Sequence, residues 1–246
     1  MAPKYGAGTS VWLDLIDASQ FFNEAGIDLS VETAETTTFQ PGVSPAWKAF
    51  IEGDATAKVT AKGFYDQVND AAMMAKIRNG GSVLTYVPGG GAVIGDMARL
   101  VLVHETAIAE SSPIGGAVLM SAGFQGDGTV GFGWVLRTAL TTDAGTTTGA
   151  ARDDLAATTA GWIAHLHVLA VTGAPTSWTV KLQDSADNSA WADVAGGAFT
   201  ATNVPAAQRL VSASGATLRR YVRYVSTVVG GTAPTITLGL AYSRNR

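Results

Sequence analysis

Residues 55–64 read ATAKVTAKGF, and this alternation constrains the fold more than any other stretch of the chain. Ala55, Ala57, Val59 and Ala61 fall on one parity; Thr56, Lys58, Thr60 and Lys62 fall on the other. A helix, turning about 100° per residue, would scatter both sets around its circumference. A strand, with a period of two, separates them into one buried and one wetted face. Similar strand runs occur at 82–87, 98–107, 116–124 and 129–139. The last two flank QGDGT, whose Asp127-Gly128 supplies residues suited to positive φ, so 116–139 is expected to be a β-hairpin.

One helix is expected in the first half. DQVNDAAMMAKIRNGG offers Asp66 as N-cap, helix-favouring Ala and Met, Lys76 and Arg78 in the last turn, and Asn79-Gly80 as a stop. Val68, Ala72, Met73, Ala75 and Ile77 form its apolar stripe, which makes the methionines core residues.

Between 141 and 161 the pattern breaks into small and turn-forming residues, the natural place for a boundary. Beyond it come short β runs at 162–172, 177–184, 190–194, 207–213, 219–229 and 235–243. The expectation is a mainly β protein of two domains, 1–145 with the one helix and 146–246 as a small antiparallel β-sandwich.

A chain of 246 residues with 47% hydrophobic but only 15% charged residues must cover much of its surface with Thr, Ser, Ala and Gly. The usual charged fraction is about 25%. Such a surface is easily stripped of water, which suits a subunit of a large assembly. Residues 1–150 hold 8 Lys/Arg against 15 Asp/Glu, and 151–246 hold 8 against 5. Neither half has the clustered basic stripe of a dedicated nucleic-acid binder. With no cysteine there can be no disulfide, thiolate zinc site or thiol nucleophile. MAPKYGAGTS lacks a signal-peptide layout and no run approaches the roughly 20 apolar residues that cross a bilayer, so a soluble protein made in a cytoplasm, with no membrane insertion, is expected.

Candidate chemistry is sparse. His104 stands alone in an apolar strand, where a hydrogen-bonded strand histidine is expected. His165 and His167 share a strand face and could present two imidazoles to a metal, but no third ligand is near and their face-mates Ile163, Leu169 and Val171 are apolar. PGGGAVIGD (88–96) misses the G-x-G-x-x-G spacing, no Gly-Lys-Ser/Thr follows it, and no parallel βα unit is available to hold it. Paired acids such as Asp14 with Asp17 and Glu32 with Glu35 lack a partner base. No nucleophile elbow or H-E-x-x-H is present. No enzymatic activity and no cofactor are expected. Arg219, Arg220 and Arg223 around Tyr221 and Tyr224 make the one basic-aromatic patch; on a strand, Arg219, Tyr221 and Arg223 would share a face.

Residues 33–66 carry a family resemblance. TAETTTF, then WKAFIEGDATAKVTAKGFYD, resembles the signature region of the major tail tube proteins of long, flexible-tailed bacteriophages: a Thr-rich loop, an aromatic-lysine segment, a G-D-A turn, and a strand ending in Gly-Phe-Tyr-Asp before a helix. SAGFQGDGTVGFGWVL is similar to the closing hairpin of that tube domain. TVKLQDSADNSAWADV, followed by RRYVRY, is similar to an Ig-like β-sandwich repeat appended to such proteins. QPGVSP departs from the family by lengthening the Thr-Phe loop.

The resemblance implies a structural virion protein: a barrel-forming tube domain whose hexameric rings stack into the channel for genome delivery. Its partners would be itself, the tape-measure and other tail proteins, and viral DNA passing non-specifically through the lumen. Within that frame Thr36, Thr37, Thr38, Phe39, Trp47 and Phe50 are the expected subunit-interface residues. The acidic first half would repel DNA phosphates from the lumen. The second domain would sit outside, with Trp178, Trp191, Arg219, Tyr221 and Arg223 as candidate surface contacts. The alternative is a virion decoration or receptor- and carbohydrate-binding module, which would stay a discrete particle where a tube subunit polymerises.

Overall fold

A computed structural model describes residues 8–35, 50–77, 80–89, 93–138 and 141–245. The strands are β1 (Ser10–Leu13), β2 (Ile16–Asp17), β3 (Phe22–Glu35), β4 (Phe50–Phe64), β5 (Ser82–Val87), β6 (Met97–Ser111), β7 (Leu119–Arg137), β8 (Thr142–Ala144), β9 (Thr147–Thr148), β10 (Arg152–Asp153), β11 (Trp162–Thr172), β12 (Ser177–Ser185), β13 (Trp191–Ala198), β14 (Ala206–Val211), β15 (Tyr221–Val229) and β16 (Thr235–Arg244), with one α-helix, α1 (Gln67–Met74), between β4 and β5. The protein is mainly β, and every pairing between named strands is antiparallel.

An eleven-stranded sheet runs β14-β11-β16-β7-β6-β5-β1-β2, with β8 attached to β16 and the β3–β4 pair attached to β7. A five-stranded sheet, β10-β15-β12-β13 with β9 on β15, covers one end. The two sheets enclose a core of Trp162, Trp178, Leu182, Tyr224, Leu238 and Tyr242, all essentially inaccessible. A second core lies under β4, β6 and β7, where Val59, Val103, Met120 and Phe124 meet Met73 of α1. A third joins the two ends of the chain: Trp12, Val87, Leu100 and Val135 pack with Ile163 and Ala241.

The alternation in β4 behaves as its chemistry dictates. Ala57, Val59 and Ala61 are buried while Thr56, Lys58, Thr60 and Lys62 are exposed. The helix is shorter than the expected 66–79. It ends at Met74, and turns follow through residue 77; of the expected stripe Met73 is fully buried and Ala72 partly buried, while Met74 is exposed and the Val68 side chain lies outside the description.

The expected hairpin at 116–139 is a correction. Residues 119–137 form one continuous strand, β7. Gly128 does take positive φ (+70°), but as a bulge: Leu100 pairs with Gly131 while Leu102 pairs with Asp127. A left-handed glycine serves a tight turn or a bulge equally well. Here the uninterrupted β6 holds both halves of β7 on one ladder, so the chain kinks and continues.

That kink lets β7 serve two neighbours. Its first half, 119–125, pairs with β4, and its second half, 133–137, pairs with β16. At the second contact Gly133 has no room for a side chain, since a Cβ would sit 1.8 Å from the Tyr242 carbonyl oxygen.

Candidate functional site

Four strands form a distinct unit in the order β3-β4-β7-β6. Among the described residues β3 has no strand on its outer edge, and β6 beyond Val103 has none on the side away from β7. One face of this unit rests on the core beneath it. The other is polar and wet, with Ser30 and Thr56 hydroxyls 2.9 Å apart. Lys62 bonds Glu24 at 3.0 Å, Lys58 lies opposite Asp28 in the ladder, and the His104 ring meets Asp127 at 3.3 Å.

The far end of the β3–β4 pair stands clear of the body. From Asp28 to Glu35 every residue of β3 is exposed, including Leu29 and Val31, as is Ile51 on β4. The alternation of Ile27, Leu29 and Val31 with Asp28, Ser30 and Glu32 is a strand signal, and it locates this ribbon.

Thr36, Thr37, Thr38, Phe39 and Trp47 lie outside the described residues. Phe50 opens β4, opposite Glu35, and its side chain is likewise outside the description. Gly89 turns out of β5 with φ +58°, and the antiparallel β5–β6 pairing leaves no βα unit to cradle a phosphate.

His165 and His167 are both fully buried, and their hydrogen bonds fix each proton. His167 Nδ1 lies 2.8 Å from the Asp14 carbonyl oxygen, which can only accept, so Nδ1 carries the proton. Nε2 then accepts from the Thr85 hydroxyl at 2.9 Å. The Thr85 oxygen in turn accepts from His165 Nδ1 at 3.2 Å, leaving His165 Nε2 as a buried lone pair without a partner. Trp12 closes the site edge-on to His167, with ring centroids 5.8 Å apart. Burial holds the His165 imidazole well below its ordinary value and the His167 imidazole at about 4, the latter opposed by Asp14 and Asp17. Both rings are thus neutral, and they bind β11 to β5 and to the turn after β1. Among the described residues no group of three His, Cys, Asp or Glu side chains could hold a metal ion, and no helix is long and apolar enough to cross a membrane.

A second buried ionisable group, Glu105, leaves both carboxylate oxygens without a partner. Desolvation pushes it up to about 7, against the pull of Lys76. Lys76 itself bonds Asp14 at 2.5 Å.

The basic-aromatic patch is tied down within the chain. Arg219 and Arg220 precede β15 instead of lying on it. Arg219 pairs with Asp184, and Arg220 chelates Asp153, holding that carboxyl at about 2. Arg223 bonds Gln183 and stacks 4.0 Å over Trp191, while Tyr221 is half-buried beside it. Trp178 is a correction: at 1% exposed it is a core residue and not a surface contact. In β12 the inward parity belongs to Trp178, Val180 and Leu182, so the ring joins the inter-sheet core.

No protein-family model matches this chain, and no curated protein matches it in sequence. Its fold is similar to that of a chain in the virion of a native gene transfer agent particle, with 13% identity over 53% of this chain and 98% of that one and a TM-score of 0.45. It is also similar to the SPP1 tail tube (15% identity, 51% and 77% covered, TM-score 0.37) and to the SPP1 Dit protein (11%, 96% and 99%, TM-score 0.36). At these identities and scores the likenesses concern the fold and carry no functional argument.

Proposed function

We propose that the chain is a structural subunit of a bacteriophage tail tube, made in the host cytoplasm and assembled into the virion tail as stacked hexameric rings around a genome channel. The observation that carries the reading is the four-stranded unit with two edges that no other described strand covers. Along β3-β4-β7-β6 the strands alternate in direction, so β6 of one copy meets β3 of the next antiparallel. Pairing these edges removes two exposed ladders per copy, and a head-to-tail contact of this kind closes into a ring. The sixfold number, the tape-measure and tail-protein partners, and the passage of DNA come from the sequence resemblance.

In such a ring the polar face of the unit lines the lumen. It offers small hydroxyls, the Lys62–Glu24 pair and the exposed Asp28 and Asp127, a surface along which a duplex would slide because nothing on it grips phosphate. We further propose the division into 1–145 as the tube wall and 146–246 as an outer Ig-like sandwich, with Phe39, Trp47 and Phe50 anchoring in a neighbour. The alternative, a decoration or glycan-binding module, would draw on Trp191 stacked beneath Arg223.

Electron microscopy of the concentrated protein, alone and seeded with isolated tails, tests the reading. Hollow tubes or rings with outer knobs are the expected result. Discrete particles only, even with seeds, would replace it with the decoration module.

A further inference from the structure

Two exposed apolar features lie at opposite ends of the four-stranded unit. One is a knob. The β6–β7 connection turns at Pro113–Gly116, with the Gly116 amide bonded to the Pro113 carbonyl at 3.2 Å, and it carries Ile114 fully in solvent. Val118, Leu119, Phe64 and Tyr65 surround its base and are all more than a third exposed. Phe64 pairs with Leu119, and the Tyr65 amide bonds the Val118 carbonyl at 3.0 Å, so the knob has a fixed seat.

The other is a groove of about 510 Å³ lined by Leu29, Val31, Ala57, Val130 and Phe132. Leu29, Val31 and Phe132 are each nearly half exposed. It lies beyond Ala57 on β4, seven residues from Phe64, so roughly 23 Å of strand separates groove from knob. A monomer gains nothing from leaving either in water, since a bare isoleucine forgoes the stabilisation of burial.

Acids stand around the knob, and two arginines stand at the groove. Beside the knob stand Asp66, Asp70 and Glu110, whose field, after desolvation, helps push the Tyr65 phenol upward. The nearby Lys62 is already bonded to Glu24. At the groove, Arg99 stacks 4.8 Å from the Phe132 centroid and Arg209 bonds the Thr129 carbonyl at 2.9 Å; Arg244 lines the adjoining pocket with Met97 and Phe132 but is already paired with Asp154 at 2.7 Å. Asp127 offsets part of the Arg209 charge.

We infer that the occupant of the groove is the Ile114 knob of a second copy, so that copies stack along the strand direction. The contact joins different surfaces on the two copies and does not close on itself, which makes it a filament contact, distinct from the edge-to-edge pairing that closes a ring. The inference rests on the tube reading and specifies how successive rings meet.

The absence of cysteine from the full chain gives a clean test. Ile114→Cys and Val31→Cys are introduced singly and together into the full chain. Folding is checked by circular dichroism, assembly by electron microscopy, and cross-linking by mild oxidation and non-reducing gels. The expected result is a ladder of three or more linked copies from the double variant, and a linked dimer from a mixture of the two single variants but from neither alone. Ile114→Asp is expected to leave the fold intact and abolish stacking. Tubes that form without the ladder would overturn this inference and leave the tube reading standing. Linked dimers from one single variant alone would replace it with a symmetric contact. Absence of any ordered assembly from the wild-type chain would overturn both.

Discussion

His165, His167 and Glu105 set opposing pH dependences in the same window. For the histidines the folded value lies below the unfolded one near 6.5, so the unfolded chain takes protons the folded chain refuses. The stability they allow is complete above 6.5 and is lost as pH falls towards 4, by about 3 kcal/mol from His167 alone. Glu105 has the reverse sign. Its folded value of about 7 lies above the ordinary 4.5, so its contribution is best below 4.5 and is lost as pH rises through 7. In the wild-type protein Glu105 offsets about one of the two histidines between pH 6.5 and 4.5, so a net loss of stability remains as pH falls. Glu105→Gln should therefore gain roughly 2–3 kcal/mol at pH 8 and almost nothing at pH 4. In that background the acid loss due to the histidines stands alone. Urea unfolding at a series of pH values measures both; an equal gain from Glu105→Gln at pH 8 and pH 4 would refute the account of Glu105. Thr85→Val is the structural control. It strands two buried imidazole nitrogens and should destabilise the protein by about 2–4 kcal/mol at neutral pH.

At the scale of elements, β7 decides how the strands connect, and two of its glycines do different work. Gly128 needs its left-handed φ but faces open space, so Gly128→Ala should cost only about 1–2 kcal/mol of backbone strain. Gly133 sits against the backbone of β16, so Gly133→Ala must push the two strands apart and should cost at least about 3 kcal/mol. Thermal melts of the two variants rank them, and equal losses would contradict the geometry. The same strand shows where local sequence stops informing. β11 is expected at 162–172 and found there, because its apolar run is bounded by turn residues on both sides. β4 is announced by its alternation. Asp127-Gly128 is ambiguous by itself, because bulge and turn ask the same of a glycine and the choice falls to β6, a partner distant in sequence. Trp178 was legible as an alternating strand residue, but which parity faces the core depends on the opposite sheet. That no other described strand covers the outer edges of β3 and β6 was invisible for the same reason: edge pairing is a property of topology, and no residue type encodes it.

For the whole molecule, the division at residue 145 meets a continuous sheet. β16 is the last strand in sequence, yet it lies between β7 of the first half and β11 of the second. The third core takes Trp12, Val87, Leu100 and Val135 from one side of the division and Ile163 and Ala241 from the other. The buried Asp14–His167–Thr85–His165 chain crosses the same join. An outer sandwich could be functionally distinct and still be required for folding. Removing 146–246 would expose Trp12 and Val135, leave Thr85 without its imidazole partners, and open the second half of β7 as a new apolar edge, the arrangement that invites aggregation. A truncated 1–145 protein should therefore be aggregated or poorly folded. Gel filtration with near-ultraviolet circular dichroism is the check. A monodisperse, tightly folded fragment that still forms rings would instead show that the tube wall is self-sufficient and that the shared sheet is only a docking contact.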